Sequence, residues 1–208
     1  DRSDEEAVRL YSDQMPDIGN RVEKFRRMAV DIHKYKGVIA HELHSGFRLL
    51  DHAHFCGTVF ANPYMENWWS IVHNSFIKDE PTKKSLALWV PRLVKKSEEL
   101  KASAKLELLM RIRDEFQFPK HYLSRFGSGA ELVALIFRHL YRTGENVPID
   151  HWQTLTDTRT KNGQRLLLGT FHDDGLRAGL GYDDERYQRN PPYYGNTGCF
   201  PLAVEALE

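Results

Sequence analysis

The chain has 208 residues and carries 29 basic and 29 acidic side chains, so its formal net charge is zero. A balanced charge provides no global field that would draw the protein to nucleic acid or to an anionic membrane. Hydrophobic residues make up 41% and charged residues 28% of the sequence, which is ordinary for a folded protein and excludes the composition typical of disorder. The length allows one or two domains, and we predict a single domain over residues 1–208.

Cysteine content and hydropathy predict the compartment. The two cysteines, Cys56 and Cys199, are too few for a disulfide framework and form no closely spaced pair that would bind zinc. No stretch approaches the roughly 20 apolar residues of a membrane helix, and the amino terminus is acidic where a signal peptide is basic. The sequence therefore predicts a cytoplasmic protein with no membrane partner.

Helical patterns dominate the first part of the chain. A capping box at Ser3 and Glu6, and apolar residues spaced by three and four between positions 18 and 32, predict two helices before Gly37. Aromatic and apolar residues predict another helix over 68–77, and Pro91 has the position of a first-turn proline in a helix that begins near Trp89. Residues 98–117 are strong helix formers. We expect a helical part over 1–147.

The most distinct helix is predicted after Ser128. Ser128 and Glu131 form a second capping box, and Gly144 is suited to the left-handed position that ends a helix. The residues from Leu132 to Phe137 are nearly all apolar. This helix is therefore expected to lie in the centre of the core.

Beyond Pro148 the patterns are those of strands and tight turns. Asn162 and Gly163 separate two strand-like runs, 154–159 and 165–171, and Asn-Gly is a strong hairpin signal. Gly175 follows two aspartates in a second turn, and 199–204 is compatible with an edge strand. The predicted fold class is α+β, in which a helical N-terminal two-thirds packs on a small antiparallel β-meander and aromatic loop at 148–208.

Four of the ten histidines lie close together, between residues 41 and 54. If this segment is helical, the turn of 100° per residue brings His41, His44 and His52 to one face with Arg48 among them. A permanent guanidinium charge beside imidazoles favours an anion such as phosphate over a metal cation. Histidines also exchange protons near neutral pH, which phosphodiester cleavage without a metal requires. The helical alternative makes the three histidines catalytic and the arginine anion-binding.

If the segment is extended beyond Phe47, a different site is predicted. His52, His54 and Cys56 then lie on one side of a strand, because side chains alternate, and two nitrogens and a sulfur can bind zinc. The segment 41–44 does not match the zinc-protease helix motif, whose histidines are four residues apart rather than three. The sequence leaves helix and strand open over 47–56, and the cofactor is unknown, with zinc as the candidate of the strand alternative.

Two further groups of residues are candidates for ligand binding. Carboxylates flank the last predicted hairpin and can bind Mg²⁺ or Ca²⁺ if they converge, although aspartate is also common in tight turns; they are Asp173, Asp174, Asp183, Asp184 and Glu185. The C-terminal aromatic loop suits stacking on bases or contact with a protein; its aromatic residues are Tyr187, Tyr193, Tyr194 and Phe200.

Two functions remain open from the sequence, and no known family is recognised in these motifs. The first is a phosphate-directed enzyme or binder that uses the His/Arg face, a phosphodiester hydrolase if it is an enzyme, with nucleic acid or another phosphate compound as ligand. The second is a non-catalytic regulatory or interaction module that binds a protein partner through its helical layer and aromatic loop.

Overall fold

The computed structural model describes residues 37–49, 79–149, 153–172, 175–181 and 197–207. The helices predicted before Gly37 and over 68–77 lie outside these ranges, as do most of the aromatic loop and the two carboxylate groups that flank the last hairpin.

The described residues form eight strands, two α-helices and a single 3-10 turn at Ser97–Glu99. The helices are α1 (Ala102–Glu115) and α2 (Gly129–Thr143). The strands are β1 (Ile39–Leu43), β2 (Ser85–Trp89), β3 (Leu123–Ser124), β4 (Gln153–Arg159), β5 (Arg165–His172), β6 (Gly175–Gly181), β7 (Thr197–Gly198) and β8 (Leu202–Ala206).

The predicted fold class is wrong in its main claim, because helices do not dominate the N-terminal two-thirds. Strands make up 33% of the described residues and form two sheets that curl into a half-barrel. β1 occupies part of the segment for which a helix was considered. β2 ends at Trp89, and the helix expected to begin there does not form, because residues 90–96 are bends, turns and irregular backbone. All five residues of β2 are buried, so its sequence lacks the polar alternation that marks a strand with one exposed face.

The first sheet has the strand order β1-β2-β8-β3, and its neighbouring strands are antiparallel. It joins residues that are far apart in sequence: Ile39 is opposite Trp89, and Trp89 is opposite Leu202. β8 lies between β2 and β3, so the segment expected to add an edge strand instead forms part of the sheet interior.

The second sheet confirms the three-stranded meander. β4, β5 and β6 pair in antiparallel order, and β7 adds a short parallel neighbour on the other side of β4. The first turn is closed by a hydrogen bond from the Gly163 amide to the Thr160 carbonyl at 2.9 Å. Gly163 has φ +80°, which a side chain would make unfavourable.

Helix α2 confirms the capping box and lies between the sheets. The Glu131 amide donates to Ser128 Oγ, and the Ser128 amide donates to the Glu131 carboxylate. Gly144 ends the helix with φ +71°. Every residue of α2 from Gly129 to Phe137 is buried, and the helix contacts β1, β4 and β5.

One hydrophobic cluster connects the two sheets through α2, with residues from Leu43 in the first sheet to Leu168 in the second. Neither helix in the described part is long and apolar enough to cross a membrane.

Candidate functional site

His41 lies in the middle of β1 and points into the main core. It is opposite Ala87 of β2, and it is only 1% exposed. Its side chain shares a face with Leu43, whereas Ala40 and Glu42 are half-buried on the other face, as strand alternation requires. A histidine therefore occupies a position at which an apolar side chain would be expected.

The ring of His41 is close to the indole of Trp89, which in turn contacts a second imidazole. Its centroid is 6.1 Å from that of Trp89, and the Trp89 ring makes an edge contact with His139 of α2 at 6.4 Å. Phe200 contacts Trp89 from 5.5 Å. We call His41, Trp89 and His139 the imidazole–indole cluster.

Four buried nitrogens of this cluster lack a hydrogen-bond partner among the described residues. They are Nδ1 and Nε2 of His41, Nε1 of Trp89 and Nδ1 of His139. Buried polar atoms are nearly always hydrogen-bonded, because an unsatisfied one costs about 1–3 kcal/mol. These atoms are therefore the main group of unpaired buried side-chain nitrogens in the part of the protein that the structure describes.

Positive charge surrounds the cluster on the side of α2. Burial lowers the pKa of His41 well below the usual histidine value, and the charges of Arg138, Arg142 and His139 lower it further. Burial also lowers the pKa of His139, against the opposing charge of Glu145. The lowered pKa values consequently favour the neutral form of both imidazoles at pH 7.

This arrangement suits an anion better than a metal ion. The indole Nε1–H can only donate a hydrogen bond, and each neutral imidazole supplies one more N–H. Two guanidinium charges favour an oxyanion and oppose a cation. Within the described residues, no three histidine, cysteine or carboxylate side chains are grouped so as to hold a metal ion.

The cluster extends from the interior to the surface along α2. His41 is buried, His139 is half-buried, and Arg142 is exposed one turn further along the helix. The Arg138 guanidinium donates to the Glu42 carbonyl of β1 at 3.3 Å, which joins the helix to the strand beside His41.

Of the predicted site residues that the structure describes, which are His41, His44 and Arg48, His41 alone belongs to this cluster. The helical geometry that would group it with His44 and Arg48 does not hold for β1, and both of those residues follow the strand in a turn. Thr82 holds this turn by donating its hydroxyl to the His44 carbonyl at 2.6 Å. Arg48 is exposed and forms a backbone bridge with Pro81.

The remaining predicted ligands, His52, His54 and Cys56, lie outside the described residues. The zinc alternative therefore stays a prediction, as does the part of the anion site assigned to His52.

A second polar network stabilises the N-terminal end of α2. The Arg125 guanidinium makes two hydrogen bonds of 2.6 Å to the buried Glu131 carboxylate, and it lies 3.8 Å from Asp157 of β4. The Asp157 carboxylate also accepts from the Gly127 amide at 3.0 Å. Each charged side chain in this network has an oppositely charged or hydrogen-bonded partner. We therefore interpret the network as a structural connection between α2 and the second sheet.

Glu80 extends the same network through Thr158. The Thr158 hydroxyl donates to the Glu80 carboxylate and accepts from the Gly129 amide at 2.7 Å. Burial raises the pKa of Glu80, as do the charges of Glu131 and Asp157, while the hydrogen bond from Thr158 and the charge of Arg125 lower it. This carboxyl is consequently more easily protonated than an ordinary glutamate.

A third polar group surrounds Cys199 between α1 and β7. The Cys199 amide donates to Ser97 Oγ at 3.1 Å, and the buried Lys105 ammonium donates to the Leu100 carbonyl and to Thr197 Oγ1. Burial raises the pKa of the Cys199 thiol to about 11. A protonated, fully buried thiol is inert, so this group is structural.

Sequence reasoning missed Trp89, His139 and the two arginines of α2. The sequence did contain a signal for the residues of α2, since Arg138, His139 and Arg142 lie at helical spacing near the end of the best-predicted helix. Trp89 offered no signal, because its role depends on β2 lying beside β1.

Comparisons with family models, with curated proteins and with solved structures gave no match for this chain.

Proposed function

We propose that the protein binds a small oxyanion, with a phosphate group as its ligand, at the imidazole–indole cluster. The supporting observation is the set of buried nitrogens of His41, Trp89 and His139 that lack partners among the described residues, next to Arg138 and Arg142. A bound oxyanion would accept from the Trp89 indole and from the one N–H of each neutral imidazole, and it would offset the positive charge. Binding would thereby recover the energetic cost of leaving these N–H groups unpaired.

Binding accounts for the cluster better than hydrolysis does. Metal-independent phosphodiester cleavage needs one group that accepts a proton and another that donates one. The pKa values of His41 and His139 are both lowered, so both imidazoles are bases at pH 7 and neither is a ready general acid. We therefore favour the binder over the phosphodiester hydrolase.

The buried position of His41 suits a single phosphate group rather than a polynucleotide. Nucleic acid is bound mainly through exposed basic side chains that follow a row of phosphates. Here the nitrogens are largely inside the protein and only Arg142 is exposed. The ligand would be inorganic phosphate or a compound that ends in one phosphate. A cytoplasmic location, where such compounds are common, stays part of the proposal.

The test is calorimetric titration of the full chain with sodium phosphate at pH 7, at ionic strength held constant with sodium chloride. The perturbing variant is His41→Leu, which removes both imidazole nitrogens at similar volume. The matched control is Ser124→Ala. Ser124 Oγ is also buried without a partner among the described residues, but it lies on β3, which β8 separates from β2.

We expect the wild type and Ser124→Ala to bind one phosphate with equal affinity. His41→Leu should bind at least about tenfold more weakly, since one lost hydrogen bond to a charged ligand costs about 1.5–3 kcal/mol. Equal affinity in all three proteins, or no phosphate binding by the wild type, would contradict the proposal.

The interaction module remains a prediction with its own test. Truncation before the aromatic loop is unsuitable, because it would remove β8 from the interior of the first sheet. Substituting Tyr193 and Tyr194 with serine keeps β8. Loss of a co-purifying protein partner in that variant would support the alternative.

A further inference from the structure

A short segment, residues 79–82, which we call the strap, closes the turn that follows β1. The Thr82 hydroxyl donates to the His44 carbonyl at 2.6 Å, and the Thr82 amide donates to the Phe47 carbonyl at 2.6 Å. The Gly46 amide donates in return to the Thr82 carbonyl at 2.9 Å. The order of this turn therefore depends on the position of the strap.

The strap is anchored on its other side by Glu80, whose carboxylate accepts from the Thr158 hydroxyl of β4. The same hydroxyl accepts from the Gly129 amide at the start of α2, so one side chain joins the strap to the second sheet and to α2. Pro81 separates Glu80 from Thr82, and its fixed φ angle limits the freedom of the backbone between these two contacts. A change at Glu80 is consequently transmitted to Thr82.

The charges around Glu80 balance only when its carboxyl group holds a proton. The Arg125 guanidinium is bonded to the Glu131 carboxylate and lies 3.8 Å from Asp157. The Arg165 guanidinium of β5 lies 3.4 Å from Asp157. Two guanidinium groups therefore already face two carboxylates. Glu80 has a hydroxyl rather than a cation as its partner among the described residues, so its negative charge would be in excess.

The groups that face Glu80 from each neighbouring element agree with this count. Burial, the largest cause, raises the pKa of Glu80, and the negative charges of Glu131 on α2 and of Asp157 on β4 raise it further. The hydrogen bond from Thr158 and the charge of Arg125, which precedes α2, lower the pKa without reversing the shift. The surroundings of Glu80 thus favour its protonated form.

We propose that Glu80 is a proton-operated anchor of the strap. With its proton, Glu80 stays against Thr158 and the turn after β1 is closed. Without the proton, Glu80 turns towards solvent, and the strap and the turn loosen together. Glu80 is only half-buried, so water is within reach of the charged carboxylate. The anchor uses no residue of the imidazole–indole cluster, and it holds whether or not that cluster binds an oxyanion.

Linkage fixes the sign and the pH range of the effect. Because the pKa of Glu80 is raised in the closed form, protonation stabilises that form, and this contribution is fully present below the ordinary glutamate pKa. Between the ordinary pKa and the raised one, each pH unit should increase the open population by up to about tenfold. Above the raised pKa the dependence should level off. The strap is thus closed in acid and loosens as the pH rises.

Hydrogen exchange of backbone amides, followed by NMR across this pH range on the full chain, measures the opening. The reporters are the Gly46 and Thr82 amides, and the hydrogen-bonded Gly163 amide of the first hairpin is the internal control. Rates are converted to protection factors, which removes the pH dependence of intrinsic exchange. Glu80→Gln keeps an uncharged acceptor at every pH, whereas Asp79→Asn removes the same charge from an exposed neighbour. The carboxyl carbon signal of Glu80 gives its pKa in the native wild type.

We expect the protection of both reporters to fall with rising pH in the wild type and in Asp79→Asn, over a range that ends at the measured pKa of Glu80. The total fall should equal the ratio of the acid dissociation constants of a solvated glutamate and of native Glu80. Protection should stay constant in Glu80→Gln, and at Gly163 in all three proteins.

Three results would overturn the proposal. The first is protection of the reporters that does not vary with pH in the wild type, or a fall that persists in Glu80→Gln. The second is an equal fall at Gly163, because the opening would then involve the whole protein rather than the strap. The third, which needs no variant, is a Glu80 carboxyl signal that titrates at the ordinary glutamate pKa.

Discussion

Replacing His41 by leucine should make the empty protein more stable. Most substitutions in a core are destabilising, so an increase would be informative. The histidine is 1% exposed and its two nitrogens have no partner among the described residues. Leucine removes both polar atoms and fits a position whose strand neighbour on the same face, Leu43, belongs to the main hydrophobic cluster.

The size of the gain follows from two opposing contributions. Each unsatisfied buried polar atom costs about 1–3 kcal/mol, so two cost about 2–6 kcal/mol. The lost ring contact with Trp89 and imperfect fit of the new side chain offset about 1–3 kcal/mol of this. We therefore expect the free energy of unfolding to rise by about 1–3 kcal/mol.

Urea unfolding at pH 7, in a buffer without phosphate or sulfate, measures this difference. Ser124→Ala again serves as the control. Added phosphate should then reduce the advantage of the variant, because ligand at about 100 times its Kd stabilises the wild type by about 2.7 kcal/mol, whereas a variant that binds tenfold more weakly gains only about 1.4 kcal/mol. If leucine at position 41 lowers the free energy of unfolding by more than about 1 kcal/mol without phosphate, the nitrogens have partners and the reasoning fails.

Three further predictions concern the rest of the structure. Because the pKa of Glu80 is raised in the folded protein, protonation of this carboxyl contributes stability below the ordinary glutamate pKa, and that contribution is lost as the pH rises through the folded-state pKa. In Glu80→Gln the free energy of unfolding should not show this fall when urea unfolding is measured across the same pH range. Ser128→Ala should lower the free energy of unfolding by about 1 kcal/mol, because the helix cap is lost, and an unchanged value would mean that Glu131 alone satisfies the helix start. In a Cys56→Ser background, iodoacetamide should label Cys199 only at the rate of unfolding, because the thiol is buried with a pKa of about 11; rapid labelling of the native protein would show that it is accessible.

The parts of the fold that were predicted correctly depend on residues near one another in sequence. The capping box at Ser128 and the Gly163 turn specify α2 and the first hairpin locally. The first sheet was missed, because the paired strands β1–β2 and β2–β8 are separated by about 40 to 120 residues and pair through contacts that periodicity does not report. β2 in particular is apolar on both faces, and such a run does not distinguish a strand from a helix.

The candidate site was predicted only in part for the same reason. The sequence singled out His41, and the expectation of an anion beside histidine and arginine is retained in the proposal. The arginine is a different one, however, because β1 packs against α2 and brings Arg138 rather than Arg48 close to the imidazole. Contacts between elements decide which side chains meet, and the spacing of residues along one element does not.

The most direct test of the proposed anion site is the indole N–H signal of Trp89 in a proton–nitrogen NMR spectrum during a phosphate titration. Trp89→Phe identifies the signal among those of the four tryptophans. The Trp89 Nε1–H has no acceptor among the described residues, so a bound oxyanion should shift its proton resonance downfield with the same Kd as calorimetry. A signal that stays unchanged while phosphate saturates the protein would show that the anion binds elsewhere.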